Sequence, residues 1–171
     1  MLDILKPDLY VNQLQDVPLQ KLIRAGIKGI IIDLDNTITA WNSSEITEDI
    51  LNWFQEIKKH RFRVCLVSNN GKARVAVVAE KLDIPFIFKA NKPRRRSFRQ
   101  AMEVLETKPQ ETAVIGDQVF TDVLGGNRLN LYTILVVPLN KREFIGTRLM
   151  RRLENIVLKA VVGQKMGESD A

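Results

Sequence analysis

Two aspartates two positions apart, Asp33 and Asp35, follow the apolar run Gly29-Ile30-Ile31-Ile32 and lead into Asn36-Thr37-Ile38. A short β-branched run of this kind predicts a buried parallel strand. Residues i and i+2 of a strand point to the same side, so both carboxylates can face one pocket beyond the strand's carboxyl end. Two such charges 4 Å apart repel by about 4 kcal/mol at an effective dielectric of about 20. A bound divalent cation is the natural counter-charge. The plainer reading is an Asx-turn that closes a strand, with Asn36 and Thr37 as ordinary loop polars.

Later apolar runs repeat the arrangement. Val64-Cys65-Leu66-Val67 runs into Ser68-Asn69-Asn70, and Phe86-Ile87-Phe88 leads to Lys92-Pro93. Ala113-Val114-Ile115 runs into Gly116-Asp117, with Asp122 beyond, whereas Tyr132–Val137 ends at Pro138 without a charge. Open α/β sheets bind ligands outside the carboxyl ends of their strands. A hydroxyl, an ammonium and two further carboxylates therefore converge on the place where Asp33 and Asp35 are expected. Singly, each has a plainer role: Ser68 as a helix cap, Lys92 as a solvated loop lysine, Asp122 as an acid favoured by a helix N-terminus. Cys65 reads as an inert buried thiol and His60 as a solvated helix end.

Together these residues resemble the haloacid dehalogenase (HAD) superfamily of phosphohydrolases. Asp33-Leu34-Asp35-Asn36-Thr37 is similar to its D-x-D-x-T first motif, Ser68 to the second, Lys92 to the third, and Gly116-Asp117 through Asp122 to the acidic fourth. Ser68-Asn69-Asn70, Asn91-Lys92-Pro93 and Gly116–Arg128 are closer still to the YqeG-type group (HAD subfamily IIIA), whose relatives include phosphatidylglycerophosphate phosphatases. The resemblance implies an aspartyl-phosphate mechanism with Mg²⁺. Asp33 would be the nucleophile and Asp35 the general acid and base. Asp33, the Asp35 backbone carbonyl and Asp117 would hold the metal, with Asp122 bound directly or through water. Thr37, Ser68, Asn69 and Lys92 would bind the phosphate.

The elements that must position these groups are legible as alternating strands and helices. Leu19, Leu22 and Ile23 mark a helix between Pro18 and Gly26. Ile50, Leu51, Phe54 and Ile57 mark one after Thr47, with Glu48 and Asp49 in its first turn. Val75, Val78 and Leu82 mark another, and Phe98, Met102 and Leu105 a further one. The expected fold is α/β, a doubly wound parallel sheet of about five strands with a HAD-type Rossmann-like core. At 171 residues the chain is expected to form one domain, 1–171. Superfamily lids are inserted between the first and second motifs or between the second and third. Here residues 38–67 and 69–91 hold little more than a helix and a strand each, so no large cap is expected beyond a small flap near Trp41-Asn42. An uncapped site favours a bulky substrate or a partner that closes it.

A single cysteine excludes an intramolecular disulfide framework. Neither a signal-like N-terminus nor an apolar run of membrane-spanning length is present, so the expected location is the cytoplasm, with peripheral contact at the inner face of a membrane. Net charge is +6 and unevenly placed. Lys89, Lys92, Arg94, Arg95, Arg96 and Arg99 stand together without an acid among them. Nucleic acid is disfavoured as a partner because only Phe98 interrupts the cations and it fits an apolar helix face. A solvated helix face and attraction to a polyanionic substrate or anionic membrane remain. A basic amphipathic helix is expected over about 144–162, packed on its own domain or lying on anionic lipid. The functional expectation is a Mg²⁺-dependent phosphomonoesterase acting on a lipid-borne phosphate such as phosphatidylglycerophosphate. A phosphoprotein or nucleotide phosphatase and a slow-turnover phosphate-binding module are the alternatives, and a homo-oligomer is compatible with each.

Overall fold

The computed structural model describes residues 2–139 and Ile156. Six strands form one sheet: β1 (Leu9–Val11), β2 (Gly29–Ile32), β3 (Arg63–Val67), β4 (Phe86–Ile87), β5 (Thr112–Gly116) and β6 (Tyr132–Val136). The helices are α1 (Leu19–Arg24), α2 (Glu48–Lys59), α3 (Lys72–Leu82), α4 (Arg95–Leu105) and α5 (Leu124–Asn127). Strand order is β1-β6-β5-β2-β3-β4, and every pairing is parallel. From β2 the chain moves outward through β3 to β4, then returns across the sheet to β5 on the other side of β2. Winding therefore reverses between β2 and β5, the place where open α/β sheets form their binding crevice.

Side-chain alternation divides the core between the two faces. Ile30 and Ile32 of β2, Val64 and Leu66 of β3, and Ala113 and Ile115 of β5 pack with Ile50, Phe54 and Ile57 of α2 and Val75, Val78 and Leu82 of α3. Ile31, Cys65, Val67 and Val114 face the other way, against Phe98, Ala101, Met102 and Leu105 of α4. Because both faces are covered, the central strands are apolar at nearly every position. Burial pushes the Cys65 thiol up to about 12, consistent with an inert core thiol.

Register is what builds the site. Ile32 lies level with Leu66 of β3 and Ile115 of β5, and the Asp33 N–H donates to the Ile115 carbonyl at 2.9 Å. The three central strands thus release the chain side by side, at Asp33, Ser68 and Asp117.

The doubly wound α/β expectation holds, with six strands rather than about five. The additional strand, β1, has three residues and pairs with β6 through Leu9–Ile134 and Val11–Val136. Three residues are too few for a period to show. In α2 the buried stripe is Ile50, Trp53, Phe54 and Ile57, the i, i+3, i+4, i+7 set. Leu51, one position off that stripe, is exposed. Between β2 and β3 the only helix is α2, and between Ser68 and Lys92 the chain holds α3 and β4. The tail helix expected over about 144–162 lies outside the described residues except for Ile156. Among the described residues, no helix is long and apolar enough to cross a membrane.

Candidate active site

The chain exits of β2, β3 and β5 bring the expected residues together. Asp33 leaves β2, Asp117 leaves β5, and Asp122 returns from the π-helical turn Val119–Val123. These three carboxylates each offer an oxygen within 4.8 Å of the others, and all three residues are buried. Gly116 permits this approach: a Cβ there would lie 2.2 Å from the Asp122 carboxyl carbon. The Gln118 N–H donates to Asp122 Oδ2 at 3.3 Å.

Lys92, also buried, reaches into the cluster from the β4–α4 connection. Its Nζ donates to Asp33 Oδ1 and to Asp122 Oδ1, both at 2.6 Å. The loop that delivers it is tied to Asn69, whose Oδ1 accepts the Lys92 N–H at 2.7 Å. Ser68 is buried, and its Oγ accepts the Asn70 N–H at 3.2 Å. Thr37 is buried in the turn after β2, and its Oγ1 has no hydrogen-bond partner among the described residues. His60 is exposed at the end of α2, away from this group. The basic cluster read in the sequence divides: Lys92 points inward, whereas Lys89, Arg94, Arg95, Arg96 and Arg99 are exposed.

Electrostatics at the site follow from burial. Desolvation pushes the Asp33 carboxyl up; Lys92 pulls it back, and Asp122 and Asp35 push it further, leaving it at about 7. Burial also raises Asp35, against the opposing pull of Arg74. For Lys92 burial works against the ammonium, but Asp122 and Asp33 together outweigh it and hold the charge on. Three acids around one lysine leave an excess of negative charge in a poorly solvated place. The donors are hard oxygens, the set that suits a hard divalent cation, so the cluster fits such an ion.

Two partners of Asp35 were not assigned from sequence. Arg74 Nη2 donates to Asp35 Oδ1, and Asn70 Nδ2 donates to Asp35 Oδ2. Asn70 lies inside the Ser68-Asn69-Asn70 motif, so it was visible there without a role. Arg74 carries a fainter signal, as one of two cations, with Lys72, in the first turn of α3, next to the buried Val75.

A cavity of about 470 Å³ lies at the amino end of the sheet, between Asp8, Ile27, Gln110 and Tyr132. The charged groups converge at the opposite end of the sheet.

Comparison with known proteins agrees with this geometry. The family described as mitochondrial PGP phosphatase matches residues 2–138. The chain is 43% identical over 155 residues to the probable phosphatase YqeG of Bacillus subtilis, covering 91% of this chain and 90% of that protein. It is 28% identical over 149 residues to the mitochondrial phosphatidylglycerophosphatase GEP4 of Saccharomyces cerevisiae, covering 77% of each. Among solved structures, the cobalt-bound deoxy-D-mannose-octulosonate 8-phosphate phosphatase (YrbI) of Haemophilus influenzae shares the fold. Its TM-score is 0.54 at 17% identity, over 82% of this chain and 91% of that one.

Proposed function

The chain belongs to the PGP phosphatase family and is a HAD-type phosphoric monoester hydrolase, and on that premise we propose that it dephosphorylates phosphatidylglycerophosphate through a phosphoaspartate on Asp33. The observation that carries the reading is the convergence of Asp33, Asp117 and Asp122 within 4.8 Å, with Lys92 bridging Asp33 and Asp122.

In this reading an Asp33 oxygen attacks phosphorus while the bond from phosphorus to the leaving alcohol breaks. Asp35 gives its proton to that alcohol oxygen. A water then attacks the phosphoaspartate, Asp35 takes the water's proton, and the bond from phosphorus to Asp33 breaks to release phosphate. Splitting the displacement in two lets one pocket serve both halves. Lys92 supplies a fixed charge beside the transferring group, and Ser68, Thr37 and Asn69 supply polar contacts to its oxygens. Asp33, Asp117 and Asp122, with the Asp35 carbonyl, would hold Mg²⁺, which supplies charge neutralisation for the phosphoryl group and keeps Asp33 ionised. That role matters because burial favours the neutral carboxyl of Asp33, and a protonated carboxyl is no nucleophile.

A lipid substrate is supported by the family and by the site's surroundings. The described residues place no separate lid over the strand ends, so a bulky headgroup can approach. The exposed cations Lys89, Arg94, Arg95, Arg96 and Arg99 lie on and just before the helix that follows Lys92, where they would attract an anionic bilayer.

A phosphatase screen of the purified chain tests the reading. Phosphatidylglycerophosphate in anionic vesicles, a nucleotide, a phosphopeptide and p-nitrophenyl phosphate would be compared with and without Mg²⁺. The expected result is Mg²⁺-dependent phosphate release, fastest from the lipid and abolished by Asp33→Asn with the fold retained by circular dichroism. Preference for the nucleotide or phosphopeptide would overturn the lipid substrate, and turnover by Asp33→Asn would overturn the covalent mechanism.

A further inference from the structure

Arg74 is a cation that neither the acidic cluster nor the phosphate-binding groups require. It sits in the first turn of α3 with its side chain 20% exposed, and it reaches across to Asp35, 15% exposed. Its Nη2 donates both to Asp35 Oδ1 and, at 3.2 Å, to the Ser43 carbonyl. Its Nη1 lies 3.5 Å from Asn42 Oδ1. One guanidinium therefore joins the turn after β2, the segment around Asn42 and Ser43, and α3.

The chemistry of the two oxygens of Asp35 makes this contact specific. An aspartate carboxyl turns about χ2 in a broad, two-fold well, so either oxygen could carry a proton. A guanidinium only donates hydrogen bonds and stays charged. While Arg74 donates to Oδ1, that oxygen faces a group that can never accept a proton's hydrogen bond in return. Oδ2 takes a hydrogen bond from the Asn70 amide, and a carboxamide turned over presents its own oxygen to a proton there. A proton on Asp35 is therefore favoured on Oδ2, beside an amide that lies 3.4 Å from Ser68 Oγ. Oδ2 faces the side where the phosphate-binding groups gather.

We propose that Arg74 is a positioning residue that orients the Asp35 carboxyl so that Oδ2 delivers and collects the catalytic proton. The inference rests on the reading of Asp35 as general acid and base. It assigns Arg74 no contact with phosphate.

Leaving-group dependence tests it. The ratio kcat/KM reports the steps through the first cleavage of the ester bond. An alkyl phosphate needs a proton on its departing oxygen, whereas p-nitrophenolate leaves readily without one. General acid catalysis contributes about 10²–10⁴-fold. Arg74→Met should therefore lower kcat/KM for an alkyl phosphate by about 100-fold, and for p-nitrophenyl phosphate by less than about 5-fold, since that ester makes little use of an acid. Arg74→Lys should show the same bias, more weakly. Combining Arg74→Met with Asp35→Asn should be no worse on the alkyl ester than Asp35→Asn alone, because both act through one proton transfer.

Equal losses on the two esters would overturn the proposal, since a phosphate-binding or purely structural arginine would weaken both. Unchanged rates on both would overturn it as well. If circular dichroism shows that Arg74→Met fails to fold, the ester ratio of Arg74→Lys decides. Asp33→Asn, run on the same esters, separates the two layers: turnover there removes the phosphoaspartate reading itself, whatever Arg74 does.

Discussion

Lys92 shows how finely the acidic cluster is balanced. It is the buried cation that bridges Asp33 and Asp122, and removing one partner of a buried ion pair costs about 3–5 kcal/mol. Lys92→Met should therefore melt at a clearly lower temperature than the parent protein in chelator, and added Mg²⁺ should recover part of the difference. Thermal unfolding with and without metal measures this; an unchanged melting temperature in chelator would show that the lysine is not compensating those acids. Asp33 gives the pH counterpart. Its carboxyl is raised from an ordinary 3.8 to about 7, chiefly by burial. A carboxyl raised on folding stabilises the native state fully below about pH 4, and that contribution is lost as pH rises through about 7. A divalent cation favours the ionised form and reverses the preference. The Mg²⁺-induced rise in melting temperature should thus be larger at about pH 8 than at about pH 5. A rise of the same size at both would mean that Asp33 does not ligate the ion. At this scale the sequence was most informative for the acids and least for their partners. Asp33, Asp117, Asp122 and Lys92 each follow an apolar run closely enough to be read, whereas the reach of Arg74 to Asp35 depends on how α3 lies against the turn after β2.

Helix α4 carries its charges at the wrong end for stability. Arg94 occupies its cap position and Arg95 and Arg96 its first turn, with no acid present. A helix N-terminus already bears partial positive charge, and the favourable arrangement of an acid there is worth about 0.3–1 kcal/mol. Helix α2 follows that rule with Glu48 and Asp49. Neutralising Arg94, Arg95 and Arg96 together to Gln should therefore leave the melting temperature equal or higher. The same variant should lose phosphate release from anionic vesicles while keeping hydrolysis of p-nitrophenyl phosphate, and added salt should narrow its gap from the parent protein. Equal loss on both substrates would make the cluster a structural support for the Lys92 loop. The turn after β5 is the second element with a sharp requirement. A methyl group at Gly116 would collide with the Asp122 carboxyl, so Gly116→Ala should push that carboxylate out of the cluster and abolish the Mg²⁺-induced thermal shift. Retention of the full shift would place Asp122 outside the metal's reach. Longer elements such as α2 and α4 were legible because three or four apolar residues repeat on one stripe. β1 was not, because its partner β6 lies more than a hundred residues away in sequence and no local pattern announces the pairing.

Across the whole molecule, the site exists only once distant segments are in register. Asp33 and Asp117 meet because β2 and β5 lie side by side, and motif order along the chain could announce the participants but not that alignment. The same sheet has a further property in its two outermost strands. β1 contributes three residues and β4 only two, the first preceded by Asp8 and the second followed closely by Lys89. Unpaired strand margins are templates on which another chain can extend a sheet, and short, charged margins are how natural proteins blunt them. A neighbouring copy that docked its backbone alongside β1 or β4 would gain only a few hydrogen bonds. Lateral growth toward aggregates is therefore weakly templated at both margins, and among the described residues self-association is left mainly to helix faces and loops.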